Sequence, residues 1–260
     1  MPIYHDQLNR EVNLPAAPKR IISVVPSQTE LLFDLGLDLE IIATTKFCVH
    51  PADKFKLTAK IGGTKRLEMS KIISLKPDLI IANKEENEKE QLEELMQHFP
   101  VWISDINDLP SALDMITCLG EIVERTDEAA VISKAIKRDF DKLTIPSTGR
   151  RAAYFIWKRP YMVAGKNTFI DSMLQKCGLV NAFDAERYPR IEVADLEAAA
   201  PDIIFLSSEP YPFKEKNIPE LQAIAPSAKI KLVDGEMFSW YGSRLMEAPE
   251  YFTALMDELN

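Results

Sequence analysis

The side chains of this chain that could contact a ligand gather just after its β-rich runs. Ser27 and Gln28 follow RIISVVP (20–26), and Phe47, Cys48 and His50 follow LEIIATT. Gly63, Thr64 and Lys65 stand at a Gly-Gly pair, and Glu85 follows PDLIIAN. In the second half Trp157, Lys158, Arg159 and Tyr161 follow RAAYFIW, and Tyr188 and Arg190 come next. Glu209 and Tyr211 follow PDIIF, and Phe238, Trp240, Tyr241 and Arg244 close the set. Open α/β sheets bind ligands beyond the carboxyl ends of their strands. Rigid aromatics with a few polar anchors suit a large planar or apolar organic molecule. Lys158 and Arg159 could clamp an anion. Cys48 and His50 could ligate a metal, but two donors do not complete a site, so a plain loop is expected there. Phe238 or Trp240 could plug the core instead, and Glu85 and Glu209 could merely cap helices.

Motifs of catalysis are absent: there is no G-x-S-x-G elbow, P-loop, G-x-G-x-x-G or H-E-x-x-H. Only three histidines exist, and no spacing builds a triad around His50. A net charge of −9 argues against a nucleic-acid partner. No apolar run approaches the ~20 residues that span a bilayer. Hydrophobic residues make up 46% and charged residues 27%, the balance of an ordinary globular chain. The first twenty residues show no basic segment followed by an apolar core, so a cytoplasmic protein is expected, with a removed periplasmic or cell-surface leader as the alternative. The three cysteines are far apart and fit a reducing compartment; Cys118 and Cys177 sit in apolar helical patterns and read as core.

The elements that position these residues alternate. RIISVVP is a strand, and SQTELLFDLG a helix that Ser27 should cap with Glu30 in a capping box. Strands and helices continue to VWISDI, which implies βαβ units and a mainly parallel sheet. The chain then repeats itself. KIISLKPDLIIANKEE (71–86) matches ADLEAAAPDIIFLSSEP (194–210) with Pro77 laid on Pro201, and VWISD matches IKLVD at nearly the same offset. Two copies of one α/β module predict two similar lobes. Between them TDEAAVISKAIKRDFDKL has Asp127 and Glu128 at its start and an apolar stripe of Ile132, Ile136, Phe140 and Leu143. The expected division is an N-terminal lobe over 1–125, a linking helix over 126–144 and a C-terminal lobe over 145–260. The ligand would then lie in the cleft between lobes, and a monomer is expected.

RIISVVPSQTELLFDLG, then IGG, then KIISLKPDLIIA resembles the helical-backbone metal receptor superfamily, closest to its cobalamin-binding branch, over nearly the whole chain. The resemblance implies two Rossmann-like lobes with mainly parallel sheets joined by one long rigid helix. It implies a non-enzymatic protein with no intrinsic cofactor, holding a metal chelate (corrinoid, haem or ferric siderophore) for an ABC importer. A cytoplasmic corrinoid or tetrapyrrole carrier or sensor is the first alternative. A chelatase-like metal inserter using His50 with Glu85 or Glu209 is the second. Phe47 matches the family's ligand-facing aromatic, and EMFSWYGSR (236–244) resembles its ligand-contacting acidic–aromatic–arginine segment with extra residues. Importer-coupled members carry one docking glutamate per lobe, seven residues before the Pro-Asp proline. Ser70 and Ala194 stand there in this chain, whereas Glu68 and Glu192 lie nine residues before. The expectation is that these two acids merely suit helix starts and that the protein does not dock tightly on a permease.

Overall fold

A computed structural model describes residues 3–259. The chain forms two compact α/β units. The first takes the residues up to Ile106, Pro110–Lys137 and Tyr241–Arg244; the second takes Asn107–Leu109, Arg138–Trp240 and the chain from Leu245 onward.

The main sheet of the first unit is built from β1 (Ile21–Ser23), β2 (Ile41–Thr44), β3 (Ala59–Lys60), β4 (Leu79–Asn83) and β5 (Val101–Ser104). Their order across the sheet is β3-β2-β1-β4-β5, and every pair is parallel. Chain order therefore reverses direction between β1 and β4, the switch point at which doubly wound sheets open a crevice. Both β1 and β4 are buried along their full length, as strands covered on both faces must be. Helix α1 (Pro26–Asp34) follows β1, and α2 (Met69–Leu75) precedes β4.

The long helix α3 (Thr126–Lys142) is continuous, its residues through Lys137 counting with the first unit and those from Arg138 with the second. Ala129, Ile132, Ile136 and Phe140 are its buried stripe.

The second unit contains β6 (Arg151–Trp157), β7 (Tyr161–Val163), α4 (Phe169–Lys176), β8 (Arg190–Ile191), α5 (Val193–Ala199), β9 (Ile203–Ser207) and β10 (Lys229–Val233). It ends with a short helix α6 (Gly235–Ser239) and α7 (Ala248–Leu259). Among the described residues the sheet has six strands: five run in the order β8-β7-β6-β9-β10, and the two-residue strand Val180–Asn181 pairs parallel with the start of β6. The β6, β9 and β10 pairs are parallel, while β6-β7 and β7-β8 are antiparallel. The connection Lys158–Pro160 is too short for a parallel crossover, so the chain turns back as a hairpin.

The repeat has a physical basis in the Pro-Asp pair. Asp78 accepts backbone N–H bonds from Lys19 and Arg20 at 2.7 and 2.8 Å, and Asp202 accepts one from Arg151 at 2.7 Å. Each aspartate thus pins the start of its own strand to the start of the strand beside it. The helix before each pair ends on a left-handed residue, Lys76 at φ 48° and Ala200 at φ 41°. Glu68 and Glu192 are both exposed and both occupy the N-cap of those helices. No helix among the described residues is long and apolar enough to cross a membrane.

Candidate functional site

In the first unit the candidates collect at the carboxyl ends of β1, β2 and β4. The expected cap at Ser27 is corrected. Val25 is the N-cap of α1 and Pro26 its first helical residue, with no side-chain cap. Proline needs no N–H at that position and has its φ already set, so the helix starts before the Ser-x-x-Glu pattern. Ser27 and Gln28 are buried instead. The Gln28 amide donates to Ser104 Oγ, which also accepts from Asn83 Nδ2 at 2.9 Å. Asn87 accepts from the Asn83 N–H at 2.8 Å and donates to the Thr64 carbonyl at 3.1 Å. A buried polar network thus crosses the ends of β1, β4 and β5. Sequence reasoning missed Asn83, Asn87 and Ser104; the only signal was a polar residue closing each apolar run.

Phe47 stands on the loop after β2 with 51% of its surface exposed. Its ring lies over Gly63, where an added Cβ would sit 2.9 Å from Cε2, and the Lys46 ammonium is 5.1 Å from its centroid. Lys65 donates to the Glu85 carbonyl at 2.8 Å and pairs with Glu88 at 3.3 Å. Phe47, Gly63, Thr64, Lys65 and Glu85 therefore do come together. Cys48 is buried beneath them, 3.2 Å from Thr29 Oγ1 and 3.1 Å from Thr45 Oγ1, and burial pushes its thiol pKa up. His50 is half-buried on the same loop. Among the described residues no group of three or more His, Cys, Asp or Glu side chains is placed to hold a metal.

The segment Tyr241–Arg244 belongs to this first unit, although the residues on either side of it count with the second. Tyr241 donates to Glu86 Oε1 at 2.6 Å. Ser243 donates to Asp34, and Arg244 forms a two-pronged pair with Glu30, its Nε 3.0 Å from Oε2. Both side chains of that pair are only 13% exposed. Burial raises the Glu30 pKa, and the Arg244 guanidinium opposes the rise. Gly242 packs directly on the Ser27 carbonyl, where a Cβ would come within 2.6 Å.

In the second unit the candidates divide into core and surface. Phe238 was expected among the ligand contacts, but the structure buries it completely. Its ring meets Phe252, Tyr154 and Phe205 at centroid distances of 4.8, 5.1 and 5.7 Å. The five-residue helix α6 turns it inward. Trp240, two residues on, leaves the helix; it is 5% exposed, and its indole N–H donates to Glu209 Oε1 at 2.8 Å. Ser239 Oγ donates to the same oxygen at 2.7 Å. Glu209 therefore caps no helix, and burial raises its pKa against the two donated bonds. Trp157, the last residue of β6, is 40% exposed and edge-on to Tyr211 at 5.7 Å. Lys158 pairs with Glu220 at 2.6 Å, and the Tyr161 hydroxyl donates to the same carboxylate. The expected anion clamp is thus half taken by an acid, while Arg159 is exposed. Tyr188 is half-buried, and Arg190 lies in the edge strand β8.

Comparison with known proteins adds the following. A family model described as periplasmic binding protein matches residues 21–228. The vitamin B12-binding protein of Vibrio vulnificus is 28% identical over 205 residues, covering 75% of this chain and 74% of that protein. The solved periplasmic vitamin B12-binding protein of Vibrio cholerae superposes with a TM-score of 0.80 at 23% identity, over 94% of this chain and 98% of the other. A periplasmic haem-binding protein solved with two haems gives 0.80 at 23% identity, over 93% and 99%. These matches overturn the expectation of a cytoplasmic protein, since the family and both solved neighbours are periplasmic. That expectation rested on the absence of a leader pattern in the first twenty residues.

Proposed function

Because this chain belongs to the periplasmic binding protein family, we propose that it is a non-enzymatic receptor for a metal chelate of the corrinoid, haem or ferric-siderophore kind, which it delivers to an ABC importer. One observation carries the reading. In each unit, exposed aromatic surface stands at the carboxyl end of a central strand above a packed base: Phe47 in the first, Trp157 with Tyr211 in the second. Flat aromatic faces beside fixed polar groups suit a macrocycle or an aromatic chelator. A corrinoid is the first ligand to test, since the Vibrio vulnificus relative is named for vitamin B12. The chelatase alternative gains nothing from the site, for Glu209 accepts two bonds on one carboxylate oxygen.

Titration of the purified protein with cyanocobalamin, haemin and a ferric hydroxamate, followed by tryptophan fluorescence and calorimetry, tests the proposal. One chelate should bind in the micromolar range or tighter. Trp240→Ala, Trp157→Ala and Phe47→Ala should each weaken it by roughly 1–3 kcal/mol, the scale of one large apolar contact. No binding of any of the three would refute it. The sequence alone led to the expectation of no tight docking; the periplasmic binding protein match favours a complex instead, and Glu68 and Glu192 are the acids to test, since both are exposed N-caps at equivalent points of the two Pro-Asp modules. A pull-down with the cognate permease should lose the complex in the Glu68→Ala, Glu192→Ala double variant. A complex that survives it would remove these residues from the interface.

A further inference from the structure

The turn Lys158–Pro160 between β6 and β7 carries two adjacent cations, and the second unit treats them differently. Arg159 is exposed, and its side chain makes no ion pair or hydrogen bond among the described residues. Lys158 is drawn back: its side chain is only 12% exposed, and its ammonium donates to Glu220 Oε2 at 2.6 Å. The Tyr161 hydroxyl donates to Glu220 Oε1, so the hairpin engages both oxygens of that carboxylate. The Tyr161 ring is itself anchored edge-on to the buried Phe155, at 5.6 Å. The bond from Lys158 first, and that from Tyr161 next, holds the Glu220 carboxyl below the ordinary glutamate range, so it stays ionised at neutral pH. All this adjoins Trp157, whose indole N–H donates to the Arg159 carbonyl at 3.2 Å and whose exposed ring meets Tyr211. Arg190 lies two strands away, opposite Met162, which is itself opposite Trp157.

We propose that Glu220 is a positioning residue that sets the charge selectivity of the aromatic face at Trp157: by holding Lys158 it removes one cation from that face and disfavours chelates that bring several carboxylates to it. The proposal rests on the binding function argued above, in which Trp157, Arg159 and Tyr211 belong to the candidate site. In sequence, Trp157-Lys158-Arg159 offers an aromatic surface with two cations beside it. In the structure an ion pair cancels one of the two and leaves Arg159. An acid in the first turn of the helix Ile218–Ile224 also suits the helix dipole. A dipole role alone would leave affinity indifferent to ligand charge, and it would give Lys158 no part in the effect.

A charge cycle over the two residues tests the proposal, with ligand pairs that share a scaffold and differ in charge. The pairs are cyanocobalamin and its monocarboxylic acid, haemin and its monomethyl ester, and ferrioxamine B and its N-succinyl derivative. In each pair the more acidic ligand is compared with its partner by calorimetry at low salt. A unit charge about 10 Å from a carboxylate in water changes affinity about twofold. Glu220→Gln should therefore favour the more acidic ligand by about two- to threefold for each added negative charge. Lys158→Met should disfavour it by a similar factor, and the double variant should return to the wild-type ratio. Raising the salt to about 300 mM should shrink both shifts, since screening then acts over less than about 10 Å. Circular dichroism checks that the variants are folded, and Lys158→Met carries the test by itself where Glu220→Gln is not. A ratio that ignores both substitutions, or moves the same way in both, would overturn the role of Glu220 and leave the binding function standing. Binding of none of the six ligands would defeat that function and this proposal with it.

Discussion

Replacing Phe238 by alanine separates a core residue from a ligand contact. The ring is wholly buried and touches four others, Tyr251 at 6.3 Å being the most distant. Truncation removes the transfer free energy of the ring and leaves a cavity that rigid aromatic neighbours cannot collapse. Such Phe→Ala changes cost roughly 3–5 kcal/mol. With a urea slope of about 2 kcal/mol/M, the unfolding midpoint should fall by roughly 2 M. Near-ultraviolet circular dichroism during urea titration reads this directly. Chelate affinity, measured well below the new midpoint, should stay within about threefold of wild type, since the ring has no exposed surface. A midpoint shift below about 0.5 M would refute the core assignment, because a loss that small is expected only of an exposed side chain.

Three further outcomes follow from single positions. Gly242→Ala would drive its Cβ to 2.6 Å from the Ser27 carbonyl, a backbone atom that cannot swing aside, so a loss of roughly 1–3 kcal/mol is expected in the same urea assay. Gly63→Ala crowds only the half-exposed Phe47 ring, at 2.9 Å from Cε2, with Lys46 Cε at an ordinary 3.5 Å; the variant should stay within about 1 kcal/mol of wild-type stability while its chelate affinity falls with the displaced ring. Thiol alkylation of the folded protein at about pH 8 should label none of the three cysteines over minutes, whereas the unfolded chain takes three labels. Cys48 and Cys177 are buried, and burial with nearby Asp114 and Glu121 pushes the Cys118 thiol up to about 11. Rapid labelling of Cys118 would contradict that environment.

Much of the fold is legible because its signals are local. The Pro-Asp repeat marks two equivalent strand starts, and the aspartates explain why the pattern recurs: each ties its strand to the backbone of the neighbouring one. The long helix is visible in the spacing of Ile132, Ile136 and Phe140. Other features needed tertiary information. Ser-x-x-Glu at 27–30 imitates a capping box, yet Pro26 starts the helix and Glu30 turns to Arg244. Phe238 and Trp240 look alike in FSWYGSR; a helix of five residues is too short to show a period, and it buries the first while the second meets Glu209. Strand β7 has three residues, too few to show an alternating pattern. The acids that hold Tyr241, Ser243 and Arg244 lie 155, 209 and 214 residues away, beyond any local pattern.

That separation also bears on how the protein is made. Domains commonly fold as they leave the ribosome, amino-terminal first. Here the first unit receives the residues Tyr241–Arg244 only after Arg138–Trp240 of the second unit have been synthesised. A nascent chain stopped after Lys137 would carry the first unit's whole sheet without the piece that meets Glu30, Asp34 and Glu86. Translation therefore delivers the second unit's sheet before the first can reach its final form. A fragment ending in the long helix should be a poor substitute for the amino-terminal half of the intact molecule.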